Sequence, residues 1–387
     1  MDRIKQRARR RIKNNLDRIN IGMVAQRIMK LNILHTTQFL GIGGLEKILF
    51  LLIKEQMKAG HRVELLVYDY EQAWVEYFRS EGITVHSDFK KKLGYDRQVI
   101  QVLDEHIKGI DVLHTHDLNP LMYAAPLKLL TKLKGLPFPK LVHTAHGMDH
   151  VSKRPRTKLY EKLCSFMTDV TIGVGPAIRD FYIKQLLLPY QQVQNINNGT
   201  IVELRDFDRQ SAKKTLTEQF QMDPSRPVWT CVARVLPLKN QKLLVEAARS
   251  RPHMQLLIIG PSADDSYWSE LLKELPENVF MPGACSNITE ILQGSDFFVS
   301  ASCHEGIPVA ALEAGAVGIP CLLSDIPGHR VLEKTTTKKI AEFFINKDLD
   351  DLMSKMTRLE ERSSDALALG KNFQLNVKDN FSSQMMY

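Results

Sequence analysis

Phe297-Phe298-Val299-Ser300-Ala301-Ser302-Cys303-His304-Glu305-Gly306-Ile307-Pro308-Val309-Ala310-Ala311-Leu312-Glu313-Ala314 reads as a strand, a loop and a helix in succession. The run 297–301 is apolar and β-rich. Pro308 suits a first helical turn, where its missing N–H would have no partner anyway. Gly306 lets a ligand come close to the backbone. Glu305 then lies in the loop before the helix, and Glu313 on the helix behind it. Eight residues of helical rise put the two carboxylates roughly 12 Å apart along the axis. A glycosidase pair needs about 5 to 9.5 Å. These acids are therefore spaced to grip opposite ends of an elongated ligand. Read as an ordinary helix with two acids, the segment leaves Glu313 unexplained inside VAALEAGAVGIP.

The same alternation extends in both directions. Strands are predicted at 32–36, 62–68, 83–86, 111–115, 140–144 and 170–174, then at 228–235, 255–259, 278–281, 297–300 and 321–324. Helical patterns separate them, the first at about 45–59 and closed by Gly60. Strands alternating with helices specify α/β units and a parallel sheet. The pattern weakens between Asn195 and Pro227. The 387 residues therefore divide near residue 200 into two α/β halves, 30–200 and 201–365, preceded by 1–29 and followed by 366–387.

Residues 1–30 hold ten basic side chains and two acids, which accounts for the whole net charge of +8. The remainder is formally neutral and does not resemble a nucleic-acid binder. Ile4, Ala8, Ile12, Leu16, Ile19 and Met23 recur at helical spacing, so the extension reads as a basic amphipathic helix suited to an anionic membrane surface. A disordered tail, or a natural start at Met23 or Met29, competes with it, and mass spectrometry showing a native N-terminus at Met23 or Met29 would overturn the membrane reading. The longest apolar run, Ile48 to Ile53, is far too short to span a bilayer, and no secretory signal is visible. The five cysteines are scattered without a C-x-x-C pair. A disulfide framework and a zinc site are not expected, and a cytoplasmic setting fits.

Three other segments carry chemistry. Gly41-Ile42-Gly43-Gly44 joins the first strand to the first helix, where glycines and a helix N-terminus suit a phosphate; an ordinary tight turn has the same composition. Arg234 and Lys239 follow the first strand of the second half, at the strand end where open α/β sheets bind ligands. They suit a diphosphate, or else are solvated surface cations. His143 and His146 flank another strand end, where a histidine can meet a sugar hydroxyl or a developing charge. Two histidines three apart could also suggest a metal, but no cysteine sits nearby in sequence. Asp206-Phe207-Asp208 has the form of a metal-binding D-x-D but lies in the polar link and reads as solvated charge. Lys153, Arg154, Arg156 and Lys158 form a basic patch that suits a phosphorylated or lipid-linked acceptor, or merely water.

Together these segments resemble retaining glycosyltransferase family 4, with its GT-B fold of two Rossmann-like domains facing across a cleft. The resemblance runs through GIGGLEK, DVLHTHD, HTAHGMD, NINNGT, ARVLPLKN and CHEGIPVAALEAGAVGIP. It implies sugar transfer from a UDP- or GDP-sugar to a saccharide or glycolipid hydroxyl, in polysaccharide or lipopolysaccharide assembly, without metal or other cofactor. Gly43 and Gly44 would meet donor phosphate, and Arg234 and Lys239 would neutralise the diphosphate. Glu305 would hold sugar hydroxyls, with Gly306, Ile307 and Pro308 beside it. Glu313 would bind ribose, and His146 would stand beside the transferred sugar. Three departures are visible. The interdomain segment is Asn197-Asn198-Gly199-Thr200-Ile201 rather than near P-N-G-V-D. Asn240 replaces a glycine. Only four residues follow Ser383, where the family usually ends in a helix packed back on the N-terminal domain.

A nicotinamide dehydrogenase would need G-x-G-x-x-G and a correctly spaced acid; Asp69 is wrongly spaced, and Glu305, Glu313, Arg234 and Lys239 would have no task. A nucleotide-sugar epimerase on the same fold, or a silent binding protein, remains open. Nucleotide release that depends on an acceptor separates transfer from epimerisation.

Overall fold

The computed structural model describes residues 30–41, 43–70, 73–147, 155–202 and 208–387. The extension 1–29, Lys153 and Arg154 of the basic patch, and Asp206-Phe207 lie outside the described residues. The first half forms one parallel sheet in the order β3-β2-β1-β4-β5-β6-β7. Its strands are β1 (Asn32–Thr37), β2 (Arg62–Val67), β3 (Thr84–His86), β4 (Val112–His116), β5 (Lys140–Ala145), β6 (Val170–Gly173) and β7 (Val193–Asn195). The second half repeats the plan as β10-β9-β8-β11-β12-β13. These strands are β8 (Val228–Val232), β9 (Gln255–Ile259), β10 (Val279–Gly283), β11 (Phe297–Ser300), β12 (Cys321–Ser324) and β13 (Glu342–Phe344). This is the two-domain α/β architecture expected from the sequence. The two strands not anticipated, β7 and β13, lie at sheet edges and have three residues each, too few to show a period.

Helices cover both faces of each sheet, so central strands are buried on both sides and read as continuous apolar runs. All five residues of β9 are buried. The middle of the first sheet departs from this rule, because His35, Thr36 and Thr37 of β1 and His114, Thr115 and His116 of β4 are buried polar residues. Both sheets reverse their strand order at the centre, between β1 and β4 and between β8 and β11. Ligand sites in such sheets form outside the strand ends at that reversal.

The chain crosses between halves twice, side by side. The outgoing link passes Thr200, whose N–H donates to the Phe381 carbonyl at 2.8 Å. The returning Ser383 N–H donates to the Thr200 carbonyl at 2.9 Å. The Ser363–Asn380 helix lies on the second half, with Phe373 and Val377 against Gly315. The residues after it reach the first half. Met386 joins Ile48 and Leu51 of the Gly44–Lys58 helix, Ser383 Oγ donates to Glu55 Oε1 at 2.9 Å, and Tyr387 is hydrogen-bonded to His61 at 2.7 Å.

Gly199 makes the crossing possible, because a Cβ there would run into the Ser382 carbonyl. Backbone cannot rotate away as a side chain can. Gly199→Ala is therefore expected to lower the thermal midpoint by several degrees, corresponding to about 1–3 kcal/mol of overpacking. An unchanged midpoint in a thermal scan would show that the crossing is loose.

Candidate active site

A cavity of about 540 Å³ opens between the two sheets. Gly43, Gly44, His146, Arg234, Lys239, Glu305, Gly306, Ile307, Pro308 and Glu313 all line it. These ten candidates are thus brought to one place, whereas His143 and Asp208 are not among the residues that line it.

Two helices aim their N-termini into this space. Gly44 begins the Gly44–Lys58 helix, and a Cβ on it would lie 3.4 Å from a methyl of Val309, the first residue of the Val309–Val317 helix. Each N-terminus presents backbone N–H groups without intrahelical partners and the positive end of a helix dipole. Glu313, buried on the second helix, is ion-paired across the cleft with Lys47 on the first.

Glu305 is held from two sides. Lys239 Nζ lies 2.5 Å from its Oε1, and Ser302 Oγ donates to the same oxygen at 2.7 Å. Burial pushes the Glu305 carboxyl up, but the Lys239 charge, with His329 and the two hydrogen bonds, outweighs it and holds the group below the usual carboxylate range. His329 is fully buried and donates through Nδ1 to the Ser324 carbonyl at 2.8 Å. Burial lowers its pKa, against the pull of Glu305. Gly328 fits against the Glu305 backbone where a Cβ would collide. Arg234 is exposed at the mouth and, among the described residues, pairs with no acid. Asn240 sits at φ 52°, the left-handed region that glycine favours and that asparagine visits more readily than most side chains.

His146 follows β5, its backbone N–H donating to Asp117 Oδ1 at 3.0 Å. Asp117 is itself left-handed at φ 62°, a conformation costing about 1–3 kcal/mol that tends to accumulate at functional sites. His143 and His146 do not form a pair. His143 is buried against Thr115 and Tyr182, whereas His146 Nε2 meets His116 Nδ1 at 3.0 Å. Further histidines absent from the local sequence arrive through the fold: ring nitrogens of His35, His114 and His116 lie within 4.8 Å of one another. Asp208, in the D-x-D position, caps the Arg209–Gln219 helix by accepting from the Gln210 N–H. Lys47, Asp117, Asn198 and His329 were missed by sequence reasoning. The first three line the cavity, but nothing local in sequence marks them as convergent.

The family model described as Glycosyltransferase Family 4 matches residues 42–204, and the one described as Glycosyl transferases group 1 matches 212–375. The chain belongs to the group 1, family 4 glycosyltransferases. It is similar to the Escherichia coli UDP-Gal:alpha-D-GlcNAc-diphosphoundecaprenol alpha-1,3-galactosyltransferase, at 30% identity over 65% of this chain and 66% of that one. The Campylobacter jejuni N,N'-diacetylbacillosaminyl-diphospho-undecaprenol alpha-1,3-N-acetylgalactosaminyltransferase matches at 30% identity over 42% and 43%. These matches span about two thirds of the first relative and less than half of the second. The crystal structure of Anabaena Alr3699/HepE with UDP and glucose superposes with a TM-score of 0.81 at 17% identity, over 92% of this chain and 97% of that one. At that identity it establishes the GT-B fold.

The Lys239–Glu305 pair makes a stability prediction. Lys239→Met leaves a half-buried carboxylate without its cation and is expected to cost up to about 3 kcal/mol. Adding Glu305→Gln should restore most of it, read as thermal midpoints at pH 7. Because the folded Glu305 pKa is depressed, its contribution is complete above the ordinary carboxylate range and is lost as pH falls through the folded value. The gap between wild type and Lys239→Met should therefore close on acidification.

Proposed function

We propose that this chain is a retaining, metal-independent glycosyltransferase that moves a sugar from a UDP- or GDP-sugar to a hydroxyl of a lipid-linked or saccharide acceptor in surface polysaccharide assembly. One observation carries the reading: the helix N-termini at Gly44 and Val309, the cations Arg234 and Lys239 and the separated acids Glu305 and Glu313 converge on one interdomain cavity. Named relatives acting on diphosphoundecaprenol-linked sugars support the acceptor class.

In this reading the N-termini at Gly44 and Val309 receive the diphosphate, with Arg234 and Lys239 balancing the charge that develops as it leaves. Glu305 accepts from sugar hydroxyls and Glu313 from ribose. His146 borders the transferred sugar. The acceptor oxygen bonds to the anomeric carbon as the carbon–phosphate-oxygen bond breaks, and the departing diphosphate takes the acceptor proton. No protein base is needed on that path. The chain's contribution is position and preorganised charge.

Contact with an anionic membrane fits the acceptor. No helix among the described residues is long and apolar enough to cross a membrane. Leu159, Tyr160, Leu163 and Phe166 are nevertheless exposed along one helical row, next to exposed Leu129, Leu130 and Leu133. Arg156, Lys158 and Lys162 lie among them, an apolar and basic combination that favours anionic lipid surfaces.

Thermal shift with UDP, GDP and ADP in chelator tests the donor site. A ligand at 100 times its dissociation constant adds about 2.7 kcal/mol. One nucleotide should shift the wild type, and Glu313→Ala and Arg234→Ala should each abolish the shift while remaining folded. A shift that requires divalent metal overturns metal independence, and no shift at all overturns the donor reading. Tyr160→Ser with Leu163→Ser should lose sedimentation with anionic vesicles yet keep the nucleotide shift.

A further inference from the structure

The buried polar centre of the first sheet runs as a single file of hydrogen bonds to the active-site wall. Gln56 Oε1, on the Gly44–Lys58 helix, meets His35 Nε2 at 2.7 Å. His35 Nδ1 meets His116 Nε2 at 2.9 Å, and His116 Nδ1 meets His146 Nε2 at 3.0 Å. Gln56, His35 and His116 are all buried, and the planes of the two inner rings lie within 24° of each other with centroids 5.2 Å apart, edge to edge as an N–H···N bond requires. Both ring nitrogens of His35 and both of His116 are engaged in the file.

An amide oxygen only accepts, so the direction of every bond follows from Gln56. His35 must donate through Nε2. A neutral imidazole has one N–H and one lone pair, so His35 Nδ1 accepts from His116 Nε2–H. His116 Nδ1 in turn accepts from His146 Nε2–H. Neutrality is secured by burial, which lowers His35 to about 4, takes His116 well below its ordinary value and lowers His146 as well.

We propose that Gln56, His35 and His116 are positioning residues that fix His146 as its Nε2–H tautomer, so that His146 offers the reaction only the lone pair of Nδ1. His146 then accepts a hydrogen bond from a sugar hydroxyl and cannot donate one. The functional meaning rests on His146 bordering the transferred sugar, as proposed above; the tautomer itself does not. The inference concerns no proton transfer, since each ring keeps its proton and only orientation is transmitted.

Long-range proton–nitrogen correlation on histidine-labelled protein at neutral pH reads the tautomers directly. In wild type, His35, His116 and His146 should each show a protonated Nε2 and an unprotonated Nδ1. Gln56→Met removes the terminal acceptor and should change the His146 pattern. His116→Phe should change His146 while His35 keeps its Nε2–H. A merely structural role would not move these signals in a folded variant. Three results overturn the proposal: Nδ1–H on His146 in wild type, an unchanged His146 in a folded variant, or a stoichiometric metal held by His35, His114 and His116 in the purified protein. The wild-type spectrum decides even if a variant fails to fold. Should the tautomers stand as stated while no nucleotide shifts the midpoint, the positioning file survives and the donor reading falls.

Discussion

The Lys47–Glu313 pair joins the N-terminal turn of one domain's helix to the body of the other's, across the cleft. Lys239 and Glu305 form a second pair within the second half. The charges of the cleft thus largely neutralise one another, which makes it feasible to bury them. Isolated, either acid would carry the desolvation penalty of several kcal/mol that a lone buried charge incurs. Any ligand that engages Glu305 or Glu313 does so by sharing or replacing an existing cation. Binding there is an exchange of partners, and specificity follows from how well the newcomer satisfies what the lysines satisfied before.

The close approach of the two halves depends on residues that lack bulk. Gly44 leaves room for Val309, Gly306 for Ile178 and the His146 carbonyl, and Gly175, at φ 135°, for Ile307. Each is a contact between domains: a methyl at Gly44 or Gly306 would just touch its neighbour, so only a larger side chain there would hold the halves apart, whereas at Gly175 both the backbone and Ile307 resist any side chain. Electrostatics and sterics here serve the same geometry.

Much of this was legible in sequence. The α/β alternation and the strand-end motifs depend on local periodicity, and both survive in the structure. What was illegible is convergence from distant segments. Lys47 is one lysine among several on its helix until Glu313, 266 residues away, is placed beside it. The histidines of β4 read as part of a strand, and only pairing with β1 and β5 aligns them with His35 and His146. Asn240 looked like a departure because the sequence reports residue type; the left-handed backbone it must adopt explains the substitution.

The covalent crossings constrain how such a cleft can move. Thr200 and Ser382 pair as a parallel bridge, so the two links between halves lie against each other at one edge. The residues beyond are fixed to the first half through Met386, Ser383 and Tyr387. Separation at that edge would break backbone hydrogen bonds and an apolar contact together. Among the described residues, separation at the far side breaks the Lys47–Glu313 ion pair and van der Waals contacts such as those of Gly306 with Ile178 and Gly175 with Ile307. Relative motion of the halves is therefore least costly as rotation about the crossing, the hinge form of domain closure. In that motion Lys47 and Glu313 part while Glu305 keeps Lys239, because the second pair lies wholly within one domain. The Glu305–Lys239 pair moves as one body, whereas the contacts that span the cleft, Lys47 with Glu313 and the His146 carbonyl with Gly306, are assembled by closure.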